Sequence, residues 1–338
     1  MIDTLKTLCC LDGVSGCEGE VRDYILERVM RHAEEIWTDS MGNLIVHKKG
    51  TKPGLKKILI CAHMDEVGII ITGIDDKGFL RFDFVGGIDR RVLLGKRVYV
   101  GKSRIPGVIG IKARHLLDDG EDKKVPKREA MYVDIGAKSK EEASEHVALG
   151  DDAVFDETIV QFGDGFLKAK AIDDRVGCAA MIKLLEGDLP CDCYFAFTVQ
   201  EELGARGARI VANRINPDIA IILEGTTAAD LPKVPESERI CYLGGGIVIP
   251  FMDKGAVYSP ELYKLATEIA DKNNIKWQTK TVIAGATDAQ SIQRSGHGVN
   301  TLCVAAPVRN IHSPASIAKI SDFETMPLFI RLLLEAIC

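Results

Sequence analysis

Over the first 35 positions apolar residues recur at intervals of three and four, with Leu5, Leu8, Val21, Ile25, Leu26 and Val29 on the repeat and the turn "DGVSG" between them. That period predicts amphipathic helix, broken once. The pattern then tightens: "NLIVHKK" (43–49) and "KKILICAHMD" (56–65) read as strands. From about 70 to 165 short runs rich in Val, Ile and Gly alternate with turns, as in "VGIIITGI", "FLRFDFV", "KRVYVG", "RIPGVIGIK" and "AMYVDIG". This texture predicts a compact β domain. After 165 strand and helix patterns alternate again. "FLKAKAID" precedes "RVGCAAMIKLLEG", and "CYFAFTVQ" precedes "GARGARIVANRI". "IAIILEGT" is unbroken, as a strand buried on both faces requires. "SPELYKLATEIADKNN" and "FETMPLFIRLLLEAIC" read as helices. The expected architecture is an α/β unit with a mostly parallel sheet, residues 1–69 and 166–338, split by a β insertion at 70–165.

The 338 residues suit two domains, and 46% hydrophobic with 27% charged residues is ordinary for a globular chain. A net charge of −6 argues against a nucleic-acid partner. The densest basic run, "DKKVPKRE" (122–129), is flanked by acids and reads as a solvated loop. No apolar stretch reaches the length of a membrane span, and "MIDTLKTLCCLDG" lacks the marks of a secretory signal. A cytoplasmic location without membrane contact is expected. The ten cysteines lie in apolar contexts with no C-x-x-C spacing, so reduced, mostly buried thiols are expected.

Chemistry gathers where the apolar runs stop. "ILICAHMDE" ends in His63 and Asp65, "LKAKAIDDR" in Asp173 and Asp174, "FAFTVQEE" in Glu201 and Glu202, and "AIILEGT" in Glu224; "APVRNIHS" leads into His312. In open α/β sheets ligands bind beyond the carboxyl ends of the strands, so these groups converge without being neighbours in sequence. Two histidines with several carboxylates suit a divalent ion such as zinc, cobalt or manganese. Asp65, two residues from His63 on the same strand face, is placed to accept the second imidazole N–H. Taken singly, Asp173 also fits a helix N-cap and Glu224 a strand-end turn.

The motifs "GVSGCE" (13–18), "DSMGNLIVHKKG" (39–50), "CAHMDEVG" (61–68), "AKAIDDRVGC" (169–178), "VQEELGARGA" (199–208), "GATDAQSI" (285–292) and "VRNIHSP" (308–314) occur in this order along nearly the whole chain. Together the chain resembles the glutamyl aminopeptidase and tetrahedral aminopeptidase family of two-metal exopeptidases, some of whose bacterial members are labelled endoglucanases. The resemblance implies a zinc-exopeptidase-like (phosphorylase/hydrolase-like) three-layer sandwich with an inserted PDZ-like β-barrel dimerisation domain. It implies a metal-dependent aminopeptidase that uses a dinuclear metal-activated water to remove N-terminal residues from short peptides. Two divalent ions, zinc first, would share Asp173; one would add His63 and Glu224, the other Glu202 and His312. Glu201 would be the general base, Asp65 would orient His63, and Thr287 and Asp288 would line the substrate site. The Asp173–Asp174 bond would be cis, and dimers would assemble into tetrahedral dodecamers. Where the family often carries aspartate, this chain has Glu224. Alternative readings are a related dinuclear amidohydrolase, either deacylase or carboxypeptidase, and an endoglucanase. His115 of the insertion is read as structural, with an approach to a neighbouring subunit's site as the alternative, and His146 as a surface or packing residue.

Overall fold

The computed structural model describes residues 1–52, 56–120 and 123–338. Residue 122, which opens the basic run, lies outside the described residues. Four parallel-paired strands form the centre of the large sheet, in the order Cys193–Thr198, Ile58–His63, Ile219–Thr227 and Asn300–Arg309. Antiparallel strands extend it on both sides: Leu44–Lys48 and Glu35–Thr38 at one end, and Ser316–Lys319, Phe166–Ala169 and Val160–Phe162 at the other.

Side chains alternate across a strand, which explains why the central runs are apolar throughout. Ile58, Ile60, Ala62, Ile219, Ile221 and Leu223 pack into one core with the helices Ile2–Cys10, Gly19–Val29, Ile172–Glu186 and Met326–Ile337. Leu59, Cys61, Ala220 and Ile222 pack into a second core on the opposite face, under the helix Arg206–Ile215. The result is the expected three-layer α/β sandwich.

The insertion is a closed six-stranded barrel, running from the strand Gly68–Ile74 to the strand Asp152–Phe155, with Ile69, Ile71, Phe82, Val98, Ile109 and Val133 inside. One detail differs from the sequence reading. Val160–Phe162, inside the expected 70–165 interval, pairs with Phe166–Ala169 on the edge of the large sheet. The barrel itself closes, as the resemblance implies. Val160–Phe162 is an edge strand of the large sheet, and all three of its residues are exposed.

The cysteine expectation needs one correction. Cys191 and Cys338, 147 residues apart, are joined as a disulfide because the last helix returns beside the loop before strand Cys193–Thr198. The other eight are free, and six of these are buried. Among the described residues no helix is long and apolar enough to cross a membrane.

Candidate active site

Strand register brings the first group together. Thr198 pairs with His63, and Ile222 pairs with Cys61, so Glu224 stands level with His63 on the same face. The chain reverses just beyond these strand ends. Ala171, Gln200 and His312 take left-handed backbone conformations, with φ of 52°, 56° and 56°. Non-glycine residues avoid that region, and strain of this kind concentrates at functional sites. Here it occurs in three of the loops that carry the candidate ligands. The Asp173–Asp174 peptide is cis, as expected.

Asp173 lies at the centre. Its Oδ1 is 3.4 Å from His63 Nε2, and its Oδ2 is 3.3 Å from His312 Nε2. On the first side Glu224 Oε1 stands 3.3 Å from His63 Nε2. On the second Glu202 Oε1 stands 3.0 Å from His312 Nε2. Glu201 reaches less far, its Oε2 being 4.0 Å from His63 Nε2.

Two loops from distant parts of the chain hold this frame. Asp65 accepts the backbone N–H of Glu201 at 2.9 Å and of Glu202 at 3.1 Å, and Ser15 donates to the same carboxylate at 2.5 Å. Glu18 accepts the N–H of Gln200 at 3.1 Å. The expected partnership of Asp65 with the His63 ring is therefore secondary. The nearest acceptor to His63 Nδ1 is the Asp65 backbone carbonyl at 3.0 Å, with the carboxylate at 3.4 Å. His312 Nδ1 faces the carbonyl of Gly87 at 2.8 Å, so a residue of the inserted segment orients it. "FVGGIDRR" was the only signal for that contact, and nothing in its spacing points to a histidine 225 residues away.

Two further expectations change. The helix cap is Asp174, not Asp173: its Oδ1 accepts the N–H of Gly177 at 3.0 Å, while Oδ2 accepts the His63 N–H at 3.2 Å. This leaves Asp173 free to face the histidines. Thr287 lines the cavity above the cluster, but Asp288 does not. The Asp288 carboxylate is buried beneath, accepting Thr198 Oγ1 at 2.5 Å.

Burial pushes the Glu201 and Glu224 carboxyls well above the usual carboxylate range, with His63 opposing. Burial also raises Glu202, against the contact with His312. For Asp173 the balance reverses: burial opposes ionisation, yet His312 and His63 hold the carboxyl below its ordinary range. Burial lowers His312, but Asp173 and Glu202 outweigh it and carry the imidazole to about 11. His63 rises in the same way, against burial, through Glu224, Asp173 and Asp65. The cluster thus demands positive charge, from protons or from cations.

The donor set fits divalent ions. Donor atoms of His63, Asp173 and Glu202 all lie within 4.8 Å of one another, as do those of His63, Asp174 and Glu224, though both Asp174 oxygens already accept backbone N–H groups. Two ligands about 2.1 Å from a tetrahedral ion stand about 3.4 Å apart, close to the contacts across Asp173. Asp173 Oδ1 is buried without a hydrogen-bond donor, as a metal-facing oxygen is.

The family profile of M42 glutamyl aminopeptidases matches residues 42–327. An Acetivibrio thermocellus protein named as an aminopeptidase is 42% identical, over 100% of this chain and 98% of its own length. The lysyl aminopeptidase of Pyrococcus furiosus is 32% identical, covering 98% of this chain and 96% of its own. The glutamyl aminopeptidase of Lactococcus lactis is 30% identical over 100% and 96%. Among solved structures, an aminopeptidase of the archaeon Desulfurococcus kamchatkensis superposes with a TM-score of 0.94 at 37% identity, covering 99% of this chain and 94% of that one. The Pyrococcus horikoshii TET1 peptidase, which can assemble into a tetrahedron or a large octahedral shell, gives 0.87 at 36% identity, with 98% of each chain covered. With a match of this extent and relatives of this similarity, the chain belongs to the M42 glutamyl aminopeptidase family of metallopeptidases.

Proposed function

We propose that the chain removes N-terminal residues from short peptides with two divalent ions, one held by Asp173, His63 and Glu224 and the other by Asp173, Glu202 and His312. The observation that carries this reading is the division of Asp173, whose two oxygens face two different histidines. When bound, the ions supply Lewis acidity that activates water and polarises the scissile carbonyl. Zinc is the first expectation, with cobalt and manganese as substitutes, and Glu224 has the reach to serve where the family often has aspartate.

Glu201 is the general base. It stands beside the ligands at 4.0 Å from His63, while Glu202 is in contact with His312. Asp65 fixes both backbone amides, so the paired glutamates cannot exchange places. A carboxylate at that place can accept a proton from the attacking water and return it to the leaving amine. Asp65 is thereby a positioning residue. Thr287 contributes to the wall that receives the substrate, and Asp288 supports that wall from behind.

The chain also forms homo-oligomers on this reading, with the barrel segment of 70–165 as the assembly domain and a tetrahedral particle as the form. The location is cytoplasmic. Aminoacyl anilides assayed with chelated protein, then with zinc, cobalt or manganese restored, test the activity. Hydrolysis that survives chelation would refute it; a glycosidase working with two metal-free carboxyls would instead leave the anilides intact and cleave glycosides in the presence of chelator. Cleavage restricted to N-acylated or C-terminal substrates would identify a deacylase or carboxypeptidase instead.

A further inference from the structure

We propose that the cleft between the helix Arg206–Ile215 and the helical turn Ala289–Ile292 binds the phosphate group of a small phosphate monoester, at a site separate from the metal cluster. The cleft has a volume of about 340 Å³ and is lined by Arg209, Asn213, Ser291, Arg294 and Ser295. None of these lines the cavity above Asp173 and Glu201. Arg209 and Asn213 lie one turn apart on the helix, so they share a face. Ser291, Arg294 and Ser295 form the opposite wall, also spaced by three and four.

The charge of these walls has one sign. Residues 203–217 and 289–300 hold Arg206, Arg209, Arg214, Arg294 and His297 and no Asp or Glu, in a chain whose net charge is −6. Among the described residues no carboxylate oxygen lies within 4.0 Å of any of these arginines. The walls also hold donors that the protein does not use. Among the described residues the Arg209 guanidinium has no hydrogen-bond acceptor, and Arg294 engages only Nε, which donates to the Gln290 carbonyl at 2.6 Å. Asn213 Nδ2 gives one N–H to the Arg209 carbonyl at 2.8 Å and keeps the other. Ser295, 5% exposed, donates to the Ser291 carbonyl at 2.9 Å, while the Ser291 hydroxyl has no partner among the described residues.

Two guanidiniums facing one cleft repel each other, and an anion between them relieves that repulsion. A phosphate monoester brings nearly two charges and three strong acceptor oxygens, which match the planar forks of Arg209 and Arg294 and leave an oxygen for Ser291 or Asn213. A carboxylate brings one charge and two oxygens and would leave more of these donors unmatched. The volume lies in the range of small-molecule sites, about 300–1,000 Å³, so there is room for the group esterified to the phosphate. A nucleic acid would need a basic stripe extending beyond the cleft, which the net charge of −6 disfavours.

The test is calorimetric titration of the metal-loaded, full-length protein with inorganic phosphate and with glycerol phosphate. Wild type is compared with Arg209→Gln/Arg294→Gln and with Arg206→Gln/Arg214→Gln, which removes the same charge outside the cleft. Wild type should bind one equivalent of glycerol phosphate per chain, in competition with inorganic phosphate. The cleft variant should lose at least about tenfold in affinity for it, as expected when two charged hydrogen-bond partners are removed. The control variant should lose less than about threefold, since its charges act only through screened solvent. Unchanged metal content and melting temperature establish that the variants are folded, and Arg209→Gln alone gives the same reading if the double variant fails that check. Equal losses in both double variants would overturn the proposal, because the arginines would then act as a diffuse charged surface. Binding that neither variant weakens would place the phosphate on the metal ions and overturn it too. So would the absence of any binding to wild type.

Discussion

Asp65 belongs to the motif beside the candidate ligand His63, yet its carboxylate sits under the backbone amides of Glu201 and Glu202. A carboxylate that accepts two amides and a hydroxyl is held ionised: burial opposes this, but His63, Ser15 and the Glu201 amide lower its pKa. Ser15→Ala removes the hydroxyl and should destabilise the metal-loaded protein by about 1–2 kcal/mol, read by denaturant unfolding. No change at all would mean that Ser15 does not support Asp65. Glu201→Gln removes the proposed base while leaving the ligands in place. It should retain its metal and lose turnover by about a hundredfold or more. Metal content and rate measured on one preparation check this, and full activity in the metal-loaded variant would reject the assignment.

At the scale of elements, the barrel and the sandwich meet at the candidate metal site. Gly87 presents its carbonyl to His312, and Gly86 has a φ of 82° that side chains resist. A Cβ at Gly86 would stand 2.8 Å from Val67 Cγ1 and 3.2 Å from Glu202 Cβ. Gly86→Ala should therefore push Glu202 aside and weaken the ion proposed at Glu202 and His312, while sparing the one proposed at His63 and Glu224. Metal titration should show one tight and one weakened site; two unaltered sites would refute the coupling. Deleting the insertion would remove no candidate side-chain ligand among the described residues, but the carbonyl that orients His312 would leave with it, and supports of this kind matter for affinity.

For the whole molecule the sign of the charge balance matters. His312 is held near 11, above an unfolded value of about 6.5. Without metal, the stability it contributes is fully present below pH about 6.5 and is lost as pH rises toward 11. His63, Glu201 and Glu224 are raised too, so they add losses of the same sign as pH rises through their folded values. Chelated protein should thus melt several degrees lower at pH 9 than at pH 6.5, and divalent ions should remove most of that difference. Thermal melts at both pH values, with and without metal, decide it; chelated protein that gains stability toward pH 9 would contradict the charge balance. Light scattering addresses assembly. The intact chain should form particles far above its 36.9 kDa monomer mass, and a stable monomer would contradict the oligomer.

The sequence by itself determined the kinds of element and the place of the chemistry. Hydrophobic periodicity is a local property, so the central strands, the flanking helices and the β-rich insertion were all legible. Polar residues that end apolar runs were legible for the same reason, and the carboxyl-end rule gathered His63, Asp173, Glu201, Glu202, Glu224 and His312 before any distance was known. Only the tertiary structure decided what each carboxylate faces, because that depends on register and loop direction between segments far apart in the chain. It gave the helix cap to Asp174, turned Asp288 beneath the cavity and set Asp65 under the paired glutamates. It closed the barrel, since closure depends on which strands find each other and not on any strand's own pattern. It also brought Gly87 to His312. A glycine in a turn carries no periodic signal, and its role arises only from what folding places opposite it.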